Sequence, residues 1–82
     1  MIEVLLYGDV KMLVRKSIPD ANSIFLFDYI EGEHLQDLLD RLGLKPDDVG
    51  ACYINNNLAA PGNLIRDKDT IELNQPQKSV YE

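Results

Sequence analysis

The chain has 82 residues, 45% apolar and 27% charged, with 14 acidic against 8 basic side chains and a net charge of −6. That suffices for one domain with a single core, although a domain this small buries only about 60% of the surface its unfolded chain exposes. No apolar run approaches the ~20 residues of a bilayer span, and the acid excess repels phosphate backbones, whose affinity for proteins comes from Lys and Arg. Met1-Ile2-Glu3-Val4 lacks the basic start and cleavage site of a signal peptide. The expectation is a cytoplasmic protein that binds neither membrane nor nucleic acid and is steered by charge toward a basic protein partner. With one cysteine and one histidine, neither an internal disulfide nor a four-ligand structural zinc site can form, so no metal and no cofactor are expected.

From Ile2 to Tyr7, Ile2, Val4 and Leu6 alternate with Glu3, Leu5 and Tyr7, the period-two pattern of a strand. Gly8-Asp9 interrupts it, and Val10, Leu13 and Val14 then recur at three and four residues, a short helical turn through about Lys16. Pro19 to Ser23 is turn chemistry. Alternation returns over Ile24 to Ile30, with Phe25, Phe27 and Tyr29 on one side and Ile24, Leu26, Asp28 and Ile30 on the other. A strand apolar on both faces is either covered twice or shows an aromatic patch to a partner.

Leu35, Leu38, Leu39 and Leu42 follow the i, i+3, i+4, i+7 rule, and Gly43 stands at the left-handed C-cap position. This spacing predicts the main helix. Its outer face carries Asp37 and Arg41, spaced for an i, i+4 pair worth about 0.3 kcal/mol. His34 occupies the N-cap, where imidazole is a poor substitute for Ser, Thr, Asp or Asn. Pro46-Asp47-Asp48 has the chemistry of a new helical start and predicts a single turn. A third strand follows at Ala51 to Asn55, with Cys52 and Ile54 opposite Tyr53, and the Asn55-Asn56-Asn57 run suits a turn with left-handed backbone. Leu58 to Arg66 reads as a loop from which Leu64 and Ile65 dip into the core. Asp67-Lys68-Asp69 reads as a polar turn, and Thr70 to Leu73 as the last strand, with Ile71 and Leu73 inward. One long helix to cover a sheet predicts a two-layer α+β domain over residues 1–76, followed by a tail over 77–82.

Three pieces carry a family resemblance. Glu31-Gly32 with Asp37-Leu38-Leu39, then Tyr53-Ile54-Asn55-Asn56-Asn57, then Leu64-Ile65-Arg66-Asp67-Lys68-Asp69-Thr70-Ile71-Glu72-Leu73 running up to Pro76 resemble, in order, the helix entry, the third strand and the closing segment of the ubiquitin-like sulfur carriers. These are the small subunit of molybdopterin synthase and the thiamine sulfur carrier. The resemblance implies a β-grasp, with a mixed sheet of four to five strands covered by one main helix and the first and last strands adjacent in its middle. It also implies a protein partner of the activating-enzyme or synthase-subunit kind. Asn57 and Lys68 stand where those carriers usually have glycine. The carriers end in Gly-Gly, whose carboxylate is adenylated and thiolated, but no two of this chain's five glycines are adjacent.

No catalytic residue is expected. His34 reads as a surface residue, and Cys52 lies in a core strand with no cation near it in sequence, unlike a reactive thiol. The expectation is therefore a binding module that is not itself thiolated, contacting its partner through Phe25, Phe27, Tyr29 and Tyr53 on the sheet and Pro76, Val80, Tyr81 and Glu82 at the tail. A carrier with a divergent terminus, and a regulatory nucleotide- or RNA-binding domain of grasp shape, are the alternatives.

Overall fold

A computed structural model describes residues 1–77. The sequence alternates as the pattern requires in β1 (Ile2–Leu6), whose Ile2, Val4 and Leu6 are buried. Gly8, at φ +64°, turns the chain into α1 (Val10–Ser17), a full helix of eight residues rather than a turn. Val10 and Val14 pin it to the core. The chain returns antiparallel to β1 as β2 (Ile24–Phe27), which stops three residues short of the alternating pattern.

The main helix, α2, spans Leu35–Arg41 and buries Leu35, Leu38 and Leu39. It ends in a Schellman arrangement: the Leu44 N–H donates to the Leu39 carbonyl at 2.9 Å and the Gly43 N–H to Asp40 at 3.1 Å. Gly43, at φ +77°, supplies the left-handed residue this needs. A single 3₁₀ turn at Pro46–Asp48 leads into β3 (Cys52–Ile54). Asn55 and Asn56 then adopt φ +51° and +69°, the two-residue hairpin geometry that matches strand twist, and β4 (Asn57–Ala59) pairs back on β3. This short strand lies where the sequence reads as loop. The left-handed residues are Asn55 and Asn56, so Asn57 is free to enter β4.

The last strand, β5 (Thr70–Leu73), runs parallel to β1 and antiparallel to β3, giving the order β2-β1-β5-β3-β4 with the first and last strands central. Among the described residues, five strands form the mixed sheet, within the expected four to five, and both helices feed one core cluster on its inner face. Ile65 is 1% exposed and joins that core, whereas Leu64 stays 49% exposed and bridges to His34 instead.

The turn before β5 is held by Asp69, whose carboxylate accepts from the Arg66 N–H and the Asn55 side-chain amide, both at 2.8 Å. Asn55 in turn accepts from the Thr70 N–H at 2.9 Å, so the β3–β4 hairpin and this turn lock together. Lys68 sits in the same turn at φ +72°, where a Cβ crowds the backbone by about 1–2 kcal/mol. Lys68→Gly is expected to raise stability by about 0.5–1 kcal/mol, the relief exceeding the added chain entropy of glycine. A higher urea midpoint at unchanged slope is the readout.

Candidate functional site

Strand register decides which side chains share the face away from the helices. Ile24 pairs with Leu5, Leu5 with Glu72, Glu72 with Tyr53 and Tyr53 with Leu58, so one row crosses all five strands. Cross-strand partners lie on one face of a sheet. A second row runs Leu26, Glu3, Thr70, beside a shallow depression of about 480 Å³ that Met1 and Lys68 complete. The apolar members are conspicuously open: Ile24 is 62% exposed, Leu26 64% and Leu58 72%. Leu5 and Tyr53, nearer the middle, are half-buried. Glu3, Glu72 and Thr70 interleave polar groups with them. Thr70 Oγ1 donates to Glu3 at 3.4 Å, and the Asn74 side-chain amide donates to Glu72 at 2.9 Å.

Of the sheet aromatics expected at the docking surface, only Tyr53 lies on this face. Phe25 and Phe27 pair with Val4 and Ile2, which places them on the inner, helix-covered side, half-buried against the core, and Tyr29 packs there too. The two phenyl rings meet edge to face with centroids 5.7 Å apart. Alternation left the parity of this strand undetermined, and the register with β1 sends the aromatics inward and the aliphatics Ile24 and Leu26 outward. The signal that could have found the face is Leu5, an apolar side chain in the polar phase of β1 between Glu3 and Tyr7. Leu58 gives no such signal, because β4, with three residues, is too short to show alternation.

Pro76, half-buried, lies where the chain leaves β5. Beyond Leu73 the chain continues beside the start of β3: the Gly50 N–H donates to the Asn74 carbonyl at 2.8 Å, and the Gln75 side-chain oxygen accepts from the Asp9 N–H at 2.9 Å. Val80, Tyr81 and Glu82 lie outside the described residues.

The helix start and the charged helix face differ from expectation. Rather than Asp37, Glu33 takes Arg41, accepting two hydrogen bonds at 2.7 Å each, while the same guanidinium donates to the Asp28 carbonyl at 2.8 Å and covers the Phe27 ring at 4.5 Å. Glu33 lies between β2 and α2 and is only 6% exposed, so a buried carboxylate demanded the cation that an exposed Asp37 did not. The helix loses nothing by having His34 at its N-cap. The first free amides, of Leu35 and Gln36, donate to the Asn63 and Pro61 carbonyls at 2.9 and 3.0 Å, so the 60–65 loop does the capping.

Asp37 closes the other half of the cap, accepting from the His34 N–H at 3.0 Å. That backbone bond, helped by the imidazole 3.4 Å away, holds the carboxyl below the ordinary carboxylate value. A carboxyl depressed in the fold lends stability above its unfolded pKa, and loses it as pH falls through the folded one. Stability should therefore fall on acidification through that window, and less so in Asp37→Asn, when urea midpoints are compared from about pH 6 to about pH 2.

Cys52 is buried, and desolvation pushes its thiol up, which disfavours a nucleophilic thiolate. Among the described residues, no three His, Cys, Asp or Glu side chains are grouped to hold a metal, and no helix is long and apolar enough to cross a membrane.

No family model and no curated protein matches the sequence. Solved structures do match. SAMP1 from Haloferax volcanii superposes with a TM-score of 0.69 at 18% identity over 95% of this chain and 97% of its own. A second structure of H. volcanii small archaeal modifier protein 1 gives 0.69 at 19% over 93% and 97%. A Pyrococcus furiosus protein described as molybdopterin converting factor, subunit 1 gives 0.69 at 13% over 93% and 97%. At such identities the likeness establishes the fold: this chain is a ubiquitin-like β-grasp, and the resemblance carried by three short stretches of sequence extends to the whole architecture.

Proposed function

We propose that this chain is a non-enzymatic docking protein, cytoplasmic and ubiquitin-like, that binds a partner protein through the open face of its sheet and is not itself thiolated. The observation that carries this reading is the row Ile24, Leu5, Tyr53, Leu58, apolar side chains on four of the five strands, on the face the helices leave bare. Contiguous exposed apolar surface rimmed by polar groups marks interaction sites, and a tyrosine within it is a natural anchor. Glu3 and Glu72 between those residues, with a net charge of −6, favour a partner that presents basic groups, as an activating-enzyme or synthase subunit would. Residues 1–76 form the docking body and 77–82 a tail; Pro76 at the end of the body and Val80, Tyr81 and Glu82 in the tail add contacts. Among the described residues, Cys52 is buried and His34 stands exposed beside Asp37, which supports a role in binding rather than chemistry.

A second reading has its own support: the fold is shared with a molybdopterin converting factor subunit and with small archaeal modifier proteins, which favours a sulfur carrier or modifier. Against it, no two glycines are adjacent within the 82 residues, and adjacent glycines are what lets a carrier's narrow end thread into an activating enzyme. Capture of the tagged protein from its own cells with the C-terminus left free, followed by intact masses of everything retained, separates the two. The docking reading expects an unmodified chain with a stoichiometric partner. A trimmed or thiocarboxylated C-terminus, formed with ATP and an activating enzyme, would replace it with the carrier reading.

A further inference from the structure

Strand β2 is an unprotected edge. The Leu6 N–H donates to the Ser23 carbonyl at 2.8 Å, which makes Leu6–Ser23 a hydrogen-bonded pair. In an antiparallel ladder such pairs alternate, so Phe25 and Phe27 turn their backbone groups toward Val4 and Ile2, while Ile24 and Leu26 turn theirs away from the sheet. Among the described residues, nothing hydrogen-bonds to those outward N–H and C=O groups. The opposite edge is shorter: β4 has three residues, of which Leu58 alone turns its backbone groups outward, and the Ala60 N–H behind it is taken by the Asn63 side chain. Natural edges are blunted by charge, proline or a bulge, yet β2 reads Ile-Phe-Leu-Phe without a bulge, and its outward residues Ile24 and Leu26 also lie exposed on the adjoining open face.

We infer that the free edge of β2 receives an extended segment of a partner protein as a sixth strand, with apolar side chains opposite Ile24 and Leu26 and basic residues at its ends. This rests on the reading that the chain binds a partner protein. A second copy is disfavoured by area and charge: edge-to-edge pairing of strands only about 13 Å long buries a strip far smaller than the ~800 Å² per partner that a stable dimer needs, and each copy carries −6. Charge selects basic ends, because Glu3 neighbours Leu26 across the strands and exposed Asp28 follows Phe27 directly. A strand added here continues the apolar row of the open face, so one partner can occupy both.

The probe is a blocked seven-residue peptide with valine at its third and fifth positions, threonine around and between them, and lysine at both ends. It is titrated into the full chain and followed by amide chemical shifts. Shifts should concentrate on 23–28 and Leu5. With the segment antiparallel to β2, N-methylation of the two valine amides, which then face Ile24 and Leu26, should weaken binding by about tenfold or more, whereas N-methylation of the threonine amides facing away should change it by less than about twofold. Equal effects of the two methylations, no shift in 23–28 at millimolar peptide, or a concentration-dependent dimer through β2 would each overturn strand addition. Loss of partner binding on substitution of Tyr53 and Leu58, with no peptide response at β2, would leave the open-face reading standing while removing this one.

Discussion

Arg41→Met is expected to destabilise the domain by about 3 kcal/mol, because it strands a buried carboxylate. The guanidinium makes two bonds of 2.7 Å to Glu33, which is 6% exposed, and a third of 2.8 Å to the Asp28 carbonyl. Methionine keeps the packing over Phe27 and removes all three bonds. Since small domains hold only about 5–15 kcal/mol in total, the loss should be plain in a urea titration. Removing both partners should be far gentler: with Glu33→Leu added, no charge is left buried, and most of the loss should return. The double variant separates the cost of an orphaned charge from any intrinsic value of the pair. Equal instability of the double and single variants would mean that Arg41 acts through packing and the Asp28 contact rather than through Glu33.

Gly50→Ala is expected to cost about 1–3 kcal/mol, the usual penalty of forcing atoms into a packed site. A Cβ at Gly50 would stand 2.6 Å from the Gln75 carbonyl oxygen and 3.0 Å from the Pro76 Cα, both backbone atoms. Neither can swing aside as a side-chain tip would, so the segment leaving β5 must move. The Gly50 N–H bond to Asn74 at 2.8 Å would then open, and amide exchange at Gly50 should accelerate. Gly62→Ala is the control: nothing lies within 4 Å of its would-be Cβ. Because Gly50 fixes the direction in which the chain leaves the sheet, the same substitution should also weaken any partner that grips Pro76 and the tail.

The fold was legible wherever one period dominated. The leucines of α2, the alternation of β1 and the inward Ile71 and Leu73 are patterns that burial on one face imposes, and the structure obeys them. It was illegible where two answers satisfied the same pattern. Ile24 to Phe27 is apolar at every position, so only pairing with β1, a long-range choice, could say that Phe25 and Phe27 turn inward and that Ile24 and Leu26 form part of the candidate surface. Leu58 to Ala59 is too short for a periodic signal and becomes a strand because the Asn55-Asn56 turn folds it back on β3. Ion pairing failed for a related reason: Asp37 is the sequence neighbour of Arg41 on the helix, but Glu33 is the carboxylate that burial leaves in need of a cation.

Docking through the open face is tested most directly by partner capture with three versions of the full chain: unaltered, Ile24→Ser with Leu58→Ser, and Phe25→Leu. The serines alter two side chains that are 62% and 72% exposed, so folding should be preserved and checked by an unchanged urea midpoint. Docking through the open face predicts that the double serine variant loses its stoichiometric partner, while Phe25→Leu, altered on the inner face, retains it. Retention by the serine variant, or loss by the Phe25 variant at undiminished stability, would contradict it.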